Sequence, residues 1–252
     1  MIHVPNATIE VNQLAKQWHL DKTGINVLNA MSKSEKVYEY ENVEQLHFEV
    51  VTRTNFVKAS YALNGSGAGF ATLTKTKCNP QYWEKTSNGG FLLKKGVLPS
   101  TGIRDIFRQG WRYAFECGTS VIIVYYKGVL ETIHEATFNQ LFQNLFLFMG
   151  NYDKDLQLVS IHDQYALPGD IRYFKNPEVD PKHIDWQGEN TVYLGNGMYY
   201  GHGIGITSAR GIIDHLNTHR IRGAKRSAYL TDYIVRPDFK RLQATVSTGV
   251  SG

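Results

Sequence analysis

The feature that most constrains this chain is the apolar run Cys117–Leu130, CGTSVIIVYYKGVL. The β-branched residues Val121, Ile122, Ile123 and Val124 suit a buried strand. The length of the run, and the absence of Gly or Pro between Thr119 and Lys127, suit a buried helix, and we read a helix. Lys127 interrupts the run well short of membrane-spanning length, so no membrane partner is expected.

The remaining sequence is ordinary globular material. Of 252 residues, 42% are hydrophobic and 20% charged, which excludes disordered, collagenous and coiled-coil chains. No internal repeat and no Pro- or Ser-rich linker divides it, so one catalytic domain is expected over 1–243, with a small, polar, disordered tail over 244–252. Cys78 and Cys117 cannot make a disulfide scaffold, and two free thiols suit a reducing compartment. The N-terminus MIHVPNATIEVNQ lacks the basic flank and apolar run of a signal peptide, so cytoplasmic synthesis is expected. The net charge is +4, but 215–252 holds seven Lys/Arg against two Asp, leaving the rest slightly acidic. With no nucleic-acid-binding module beside it, this basic end reads as a solvated surface rather than a nucleic-acid site.

Periodicity places a helix over 42–63, stopped by Gly65-Ser66-Gly67-Ala68-Gly69. A strand is expected over 70–76, a hairpin about Asn88-Gly89, and a short helix to Arg108 capped by Ser100 or Thr101. Phe138, Leu141, Phe142, Leu145 and Phe148-Met149 suggest an amphipathic helix. Strands follow over 171–174, 190–194 and 198–206, then a last helix capped by Thr207 or Ser208, and a strand over 228–235. Helices first and antiparallel strands later indicate an α+β fold.

Several apparent motifs fail on context. The glycine-rich 65–69 stretch follows a helix, whereas a phosphate loop follows a strand and opens a helix. His215 and His219 are four apart, but no third ligand stands at a telling spacing, so no metal or cofactor is expected. Cys78 sits in a turn-like setting with no acid–base partner near it in sequence.

Cys117 is different. At a helix N-terminus the macrodipole favours thiolate, and free backbone N–H groups offer an oxyanion hole. On local sequence a buried structural cysteine and a nucleophile are both open. A nucleophile needs a base, and Glu189 and His202 are the candidates. With a two-residue turn at Asn196-Gly197 or Gly195-Asn196, strand parity puts Glu189 and His202 on one face; a one-residue slip removes that pairing.

Four ordered motifs carry a resemblance: Tyr113-Ala114-Phe115-Glu116-Cys117-Gly118-Thr119-Ser120, Tyr173-Phe174-Lys175-Asn176-Pro177-Glu178-Val179-Asp180-Pro181, Trp186-Gln187-Gly188-Glu189-Asn190, and Gly201-His202-Gly203-Ile204-Gly205. Over 15–230 the chain resembles the protein-glutamine gamma-glutamyltransferases of spore-forming bacilli, the small transglutaminases of the spore coat. The resemblance implies a single-domain papain-like core related to the NlpC/P60 hydrolases, with the catalytic Cys at a helix N-terminus packed against an antiparallel sheet. It implies calcium-independent, cofactor-free cross-linking of spore-coat proteins through Gln and Lys side chains, by a monomer located in the coat. It implies Cys117 as nucleophile, Glu189 as its acid–base partner in place of the usual His, Glu116 as a second acid near the thiol, and His202 in the site. Trp186, Tyr173 and Asn190, within the same motifs, are the candidate substrate-binding residues. Gly118, Ser120 and Gln187 depart from the family pattern, which bears on substrate preference rather than on the chemistry. A cysteine peptidase or amidase of the same fold, with His202 as base and water as acceptor, is the alternative.

Overall fold

The computed structural model describes residues 1–5 and 7–248. Its centre is the helix α2 (Cys117–Leu130), with almost every side chain buried. A second long helix, α1 (Val43–Asn64), lies along it. Asn42 caps α1 by accepting the Gln45 N–H at 2.9 Å. The two axes approach closely because Gly128 lacks a side chain: a Cβ there would fall 2.2 Å from Phe56, whose ring stacks on Tyr125 with centroids 4.1 Å apart. Lys127, the charge that interrupts the apolar run, extends outward to pair with Glu131 and lies 5.5 Å over the Phe107 ring.

On the other side of α2 stands a six-stranded antiparallel sheet. Its strands are β1 (Leu158–His162), β2 (Ile171–Lys175), β3 (Gly188–Gly195), β4 (Met198–Gly201), β5 (Gly205–Ser208) and β6 (Tyr229–Pro237), in spatial order β5-β4-β3-β2-β6-β1. Ile171 and Val192 face the α2 core, whereas Phe174 and Tyr199 face outward beneath helix α3 (Ala209–Asn217), as the two-residue period of strands requires. Ser208 caps α3 through the Gly211 N–H, as read from the sequence.

Five local expectations change. The 70–76 strand reduces to Gly69–Phe70, paired in parallel with Ala114–Phe115, and a 3-10 turn follows at Leu73–Lys75. The helix Pro99–Arg108 opens on its proline without a side-chain cap, because proline has no N–H to satisfy and its φ already suits a helix; Ser100 instead donates to Glu135. The run expected as one helix from Phe138 splits. Glu135–Leu141 is helical, but Leu145 and Leu147 are buried with Phe146 and Phe148 stacked on the other side, so the period becomes two, and Phe146–Leu147 pairs with Phe91–Leu93. The 198–206 strand breaks into β4 and β5 at a turn through His202. Residues 244–248, expected in a disordered tail, belong to helix α4 (Phe239–Thr248), which buries Phe239 and Leu242; 249–252 lie outside the described residues.

The β3–β4 hairpin decides where the site residues go. Its two-residue turn is Asn196-Gly197, both at positive φ, as a type I′ turn requires. A bulge between Tyr193 and Gly195 then shifts the register, so that Thr191 opposes Gly201 and Tyr193 opposes Tyr199. The extra residue reverses the parity expected from the turn alone. His202 does not share a face with Glu189 by register; the two meet through the backbone of the turn instead.

Candidate active site

Cys117 is the first residue of α2, and its thiol is buried, with 9% of the residue exposed. Asn190, on β3, points its side-chain amide at the sulfur, Nδ2 to Sγ 3.5 Å. Glu189 precedes it and has no exposed surface. Neither Glu189 carboxyl oxygen has a hydrogen-bond partner that would hold it away from the thiol. The groups that favour its charge are the Cys117 thiol and the His202 backbone N–H. Gly201 leaves room for it: a Cβ there would fall 3.1 Å from Glu189 Oε1.

The electrostatics reverse one expectation. Burial pushes the Cys117 thiol well above its ordinary range, and the negative charges of Glu189 and Glu116 push it further. Opposing them are only the Asn190 backbone N–H and side-chain amide. Burial likewise lifts the Glu189 carboxyl well above the usual range, helped by the charge of Glu116.

Glu116 is the N-cap of α2. Its carboxylate takes the N–H groups of Gly118 and Thr119 and the Thr119 hydroxyl. Those two N–H groups are therefore not free for an oxyanion, and the macrodipole that would have lowered the thiol is answered by a carboxylate. Glu116 does not take the first N–H of the helix, that of Cys117 itself.

His202 is 3% exposed and stacks on Phe115, centroids 4.5 Å apart. Its Nε2 lies 3.0 Å from the Gly69 carbonyl and its Nδ1 2.9 Å from the Tyr200 hydroxyl. A carbonyl can only accept, so Nε2 carries the proton and Nδ1 accepts from Tyr200. Burial lowers its pKa to about 4, against the pull of the Gly69 carbonyl. The ring is neutral and both nitrogens are occupied.

Of the remaining candidates, Tyr173 lies near the thiol. Tyr173 is partly buried, and the nearby Cys117 and Glu189 charges help raise its pKa after burial. A Cβ on Gly188 would strike the Tyr173 hydroxyl at 2.1 Å, so the glycine keeps that hydroxyl in place. Trp186 stacks between Phe70, at 4.7 Å, and His219, at 4.8 Å. Beside the cysteine, Gly118 and Asn190 border a cavity of about 250 Å³ walled by Val121, Ile122, Ile171 and Met149. Of the other aromatics near the motifs, Trp111 is exposed, and Phe174, which opposes Glu189 across β2 and β3, packs with Tyr199 under α3. Sequence reasoning missed Phe70 and Met149. Phe70 was legible as the aromatic following a run of glycines; Met149, at positive φ in the turn after a short strand, carried no signal.

A family profile described as protein-glutamine gamma-glutamyltransferase matches residues 1–246. The chain belongs to this family. The corresponding protein of Bacillus mycoides is 44% identical over 86% of this chain and 78% of its own length. That of Bacillus cereus is 43% identical over 88% and 80%. A solved transglutaminase of Geobacillus stearothermophilus, without its C-terminal extension, superposes with a TM-score of 0.78 at 48% identity, covering 81% of this chain and 98% of that one. The protein is therefore an enzyme, a transglutaminase, whose substrates are proteins bearing Gln and Lys. In this transglutaminase the thiol, the orphaned carboxyl and the amide stand together, while the two histidines His215 and His219 stack about Trp186 instead. Among the described residues no three His, Cys, Asp or Glu side chains are disposed to hold a metal, and no helix is long and apolar enough to cross a membrane.

Proposed function

We propose that this transglutaminase joins glutamine to lysine through a thioester on Cys117, with Glu189 as its acid–base group. One observation supports this most directly: the Glu189 carboxyl is fully buried next to the thiol and hydrogen-bonded to nothing that would hold it elsewhere. As a carboxylate it accepts the thiol proton while sulfur attacks the γ-carboxamide carbon of glutamine. The oxyanion is held by the Cys117 N–H and the Asn190 amide, donors that need not reorganise. Glu189 then returns the proton to the departing nitrogen, which leaves as ammonia and not as an amide anion. A lysine amine attacks the thioester, its surplus proton passes to Glu189, and the thiolate leaves and is reprotonated. Water would give glutamate, so the buried thiol and the aromatic pair Phe70 and Trp186 serve transfer by excluding it. Tyr173 and Trp186 contact substrate, and Glu116 acts on the thiol from its capping position.

The finer reading extends the motif resemblance. The core is of the papain-like kind, its cysteine opening a helix that packs on an antiparallel sheet. The substrates are spore-coat proteins, the enzyme acts as a monomer in the coat, and calcium is not required, since the proton traffic closes within Cys117 and Glu189. The hydrolase alternative needs His202 as base, and both of its ring nitrogens are engaged. The test is incorporation of a fluorescent primary amine into a glutamine-bearing protein with excess chelator present. Activity is expected to persist, to vanish in Cys117→Ala and to survive in Cys78→Ala. Calcium-restored turnover, or ammonia release without amine incorporation, would overturn the reading.

A further inference from the structure

Arg172 lies on β2 between Ile171 and Tyr173, so its side chain leaves the sheet on the side away from α2. It is 5% exposed. Its guanidinium makes one hydrogen bond within the protein, from Nη2 to the Thr231 carbonyl at 2.7 Å, and its buried Nε has no partner. No carboxylate lies within 4.0 Å of it among the described residues: Asp232 lines the same cavity, but its carboxylate pairs with His162 at 3.0 Å, and the Arg172 charge reaches it only at longer range. The Thr231 bond has a local reason. The β2–β6 register shifts between Leu230 and Ile234, and Arg172 satisfies a carbonyl freed there. That accounts for one N–H of a guanidinium that has five.

The rest of the guanidinium borders a cavity of about 410 Å³ walled by Tyr193, Tyr199, Leu230 and Gln164, with Asp232 at its side. A buried cation with no anion in direct contact is costly, and a planar fork of donors suits a carboxylate. Gln164, Ala166 and Tyr193 also line a second, adjoining cavity of about 340 Å³, bordered by Lys33, which is exposed and in no ion pair among the described residues. The two cations thus stand along one groove, on the opposite sheet face from the Cys117 cavity, which is lined by Ile171, Asn190 and Val235.

We propose that this groove is a docking site for an acidic peptide segment of the enzyme's protein substrates, with a Glu or Asp carboxylate bound to Arg172 between Tyr193 and Tyr199. The proposal rests on the protein-substrate reading above. It predicts two specificities on one molecule: glutamine chosen at Cys117, and the protein that bears it chosen on the far face.

The test separates the two. A fluorescent peptide of three glutamates, lacking Gln and Lys, is titrated by polarisation against enzyme alkylated at Cys117, so that binding reports the groove alone. Saturable, salt-sensitive binding is expected, weakened at least about tenfold (about 1.4 kcal/mol) in Arg172→Met and less in Arg172→Lys. Tyr193→Ala, which leaves the Thr231 bond intact, should weaken it as well, and serves if Arg172→Met fails to fold. Amine incorporation into a small glutamine peptide should stay within about twofold in Tyr193→Ala, while cross-linking of an acidic protein slows. Equal binding to parent, Arg172→Met and Tyr193→Ala would overturn the proposal. So would inorganic phosphate displacing nothing while itself binding at Arg172, which would mark an oxyanion site without a peptide groove. Loss of amine incorporation in the unmodified parent would instead count against the transglutaminase mechanism and leave the peptide titration standing.

Discussion

One oxygen of the Glu116 carboxylate receives both the N–H of Thr119, at 2.8 Å, and the Thr119 hydroxyl, while the other takes the Gly118 N–H. The same threonine oxygen accepts the Met149 N–H at 3.1 Å, so a single cap fixes the start of α2 and the lip of the cavity beside the cysteine. A carboxylate committed in this way is poorly placed to move protons. Glu116→Ala should cost about 1 kcal/mol of stability, a fall of roughly 2–4 °C in Tm. Glu116→Gln should retain at least about ten times the activity of Glu189→Gln, given the usual worth of acid–base catalysis. Removing the Glu116 charge should also lower the thiol pKa, read from the pH dependence of Cys117 alkylation in a Cys78→Ala background. Glu116→Gln folded but as inactive as Glu189→Gln would show that the cap also carries protons.

Glu189→Gln should lower turnover by ~10²–10⁴-fold with folding intact. Because burial raises the parent carboxyl, and the carboxylate is the form that accepts the thiol proton, parent activity should fall on acidification at a pH above the ordinary carboxylate range. The stability sign follows from the same shift. Where the folded pKa exceeds the unfolded one, the native state binds the extra proton, so this contribution is intact below the unfolded value and is lost as pH rises through the folded value. The Tm advantage of Glu189→Gln over the parent should thus be larger at about pH 8 than at about pH 4.5, measured by calorimetry. A constant difference across that range would contradict a raised carboxyl.

His202 should not titrate during turnover. With its pKa pushed down to about 4, its ring stays the Nε2–H tautomer over the working range, and nitrogen NMR shifts should show this directly. His202→Phe keeps the stack on Phe115 but strands the Gly69 carbonyl and the Tyr200 hydroxyl, a loss of about 1–3 kcal/mol. It should reduce turnover without moving the acidic limb of the pH profile. A displaced limb would return His202 to the proton path and favour the hydrolase chemistry.

How much of this was legible beforehand differs by element. The Cys117–Leu130 helix could be read because length and the lack of breakers outweighed β-branching, and tertiary burial on every side then suited those residues. The strands over 171–174, 190–194 and 228–235 were read close to their places, whereas the one over 198–206 breaks at His202. Glu189 and Asn190 entered by motif, and the structure brings both to Cys117. Two things were hidden. A bulge at Leu194 leaves no local mark beyond its glycine neighbour, yet it reverses a face assignment made by counting. The state of the thiol was hidden too, since the macrodipole can be read from sequence but a capping carboxylate and full desolvation are tertiary facts. The basic C-terminal end was read as a solvated surface, and the pairing within it was not visible: four of its seven cations, Arg226, Arg236, Lys240 and Arg241, pair with Glu178, Asp170, Glu41 and Asp238.

Asp170 supplies the control for Glu189. Both carboxylates are fully buried. Asp170, however, sits between Arg53 Nη1 and Arg236 Nη2, each at 2.7 Å, and accepts the Leu167 N–H at 2.8 Å, while Arg53 also pairs with Glu49 at 2.7 Å. This network joins α1 to the turn before β2 and to β6, near Tyr125, whose hydroxyl donates to the Gly169 carbonyl. Breaking a buried pair by removing one partner costs about 3–5 kcal/mol, so Asp170→Asn should lower Tm by roughly 6–20 °C. Its folded fraction should keep the parent's pH profile, because the network lies about two turns along α2 from Cys117. The same acid-to-amide change at Glu189 should raise Tm at neutral pH, since there it removes a buried charge that no cation offsets and that the Cys117 thiol and the His202 backbone N–H favour less than burial disfavours it. Opposite signs from equally buried carboxylates are what distinguish a structural charge from one kept for chemistry. If Glu189→Gln were destabilising by as much as Asp170→Asn, Glu189 would have to be reassigned as part of the scaffold.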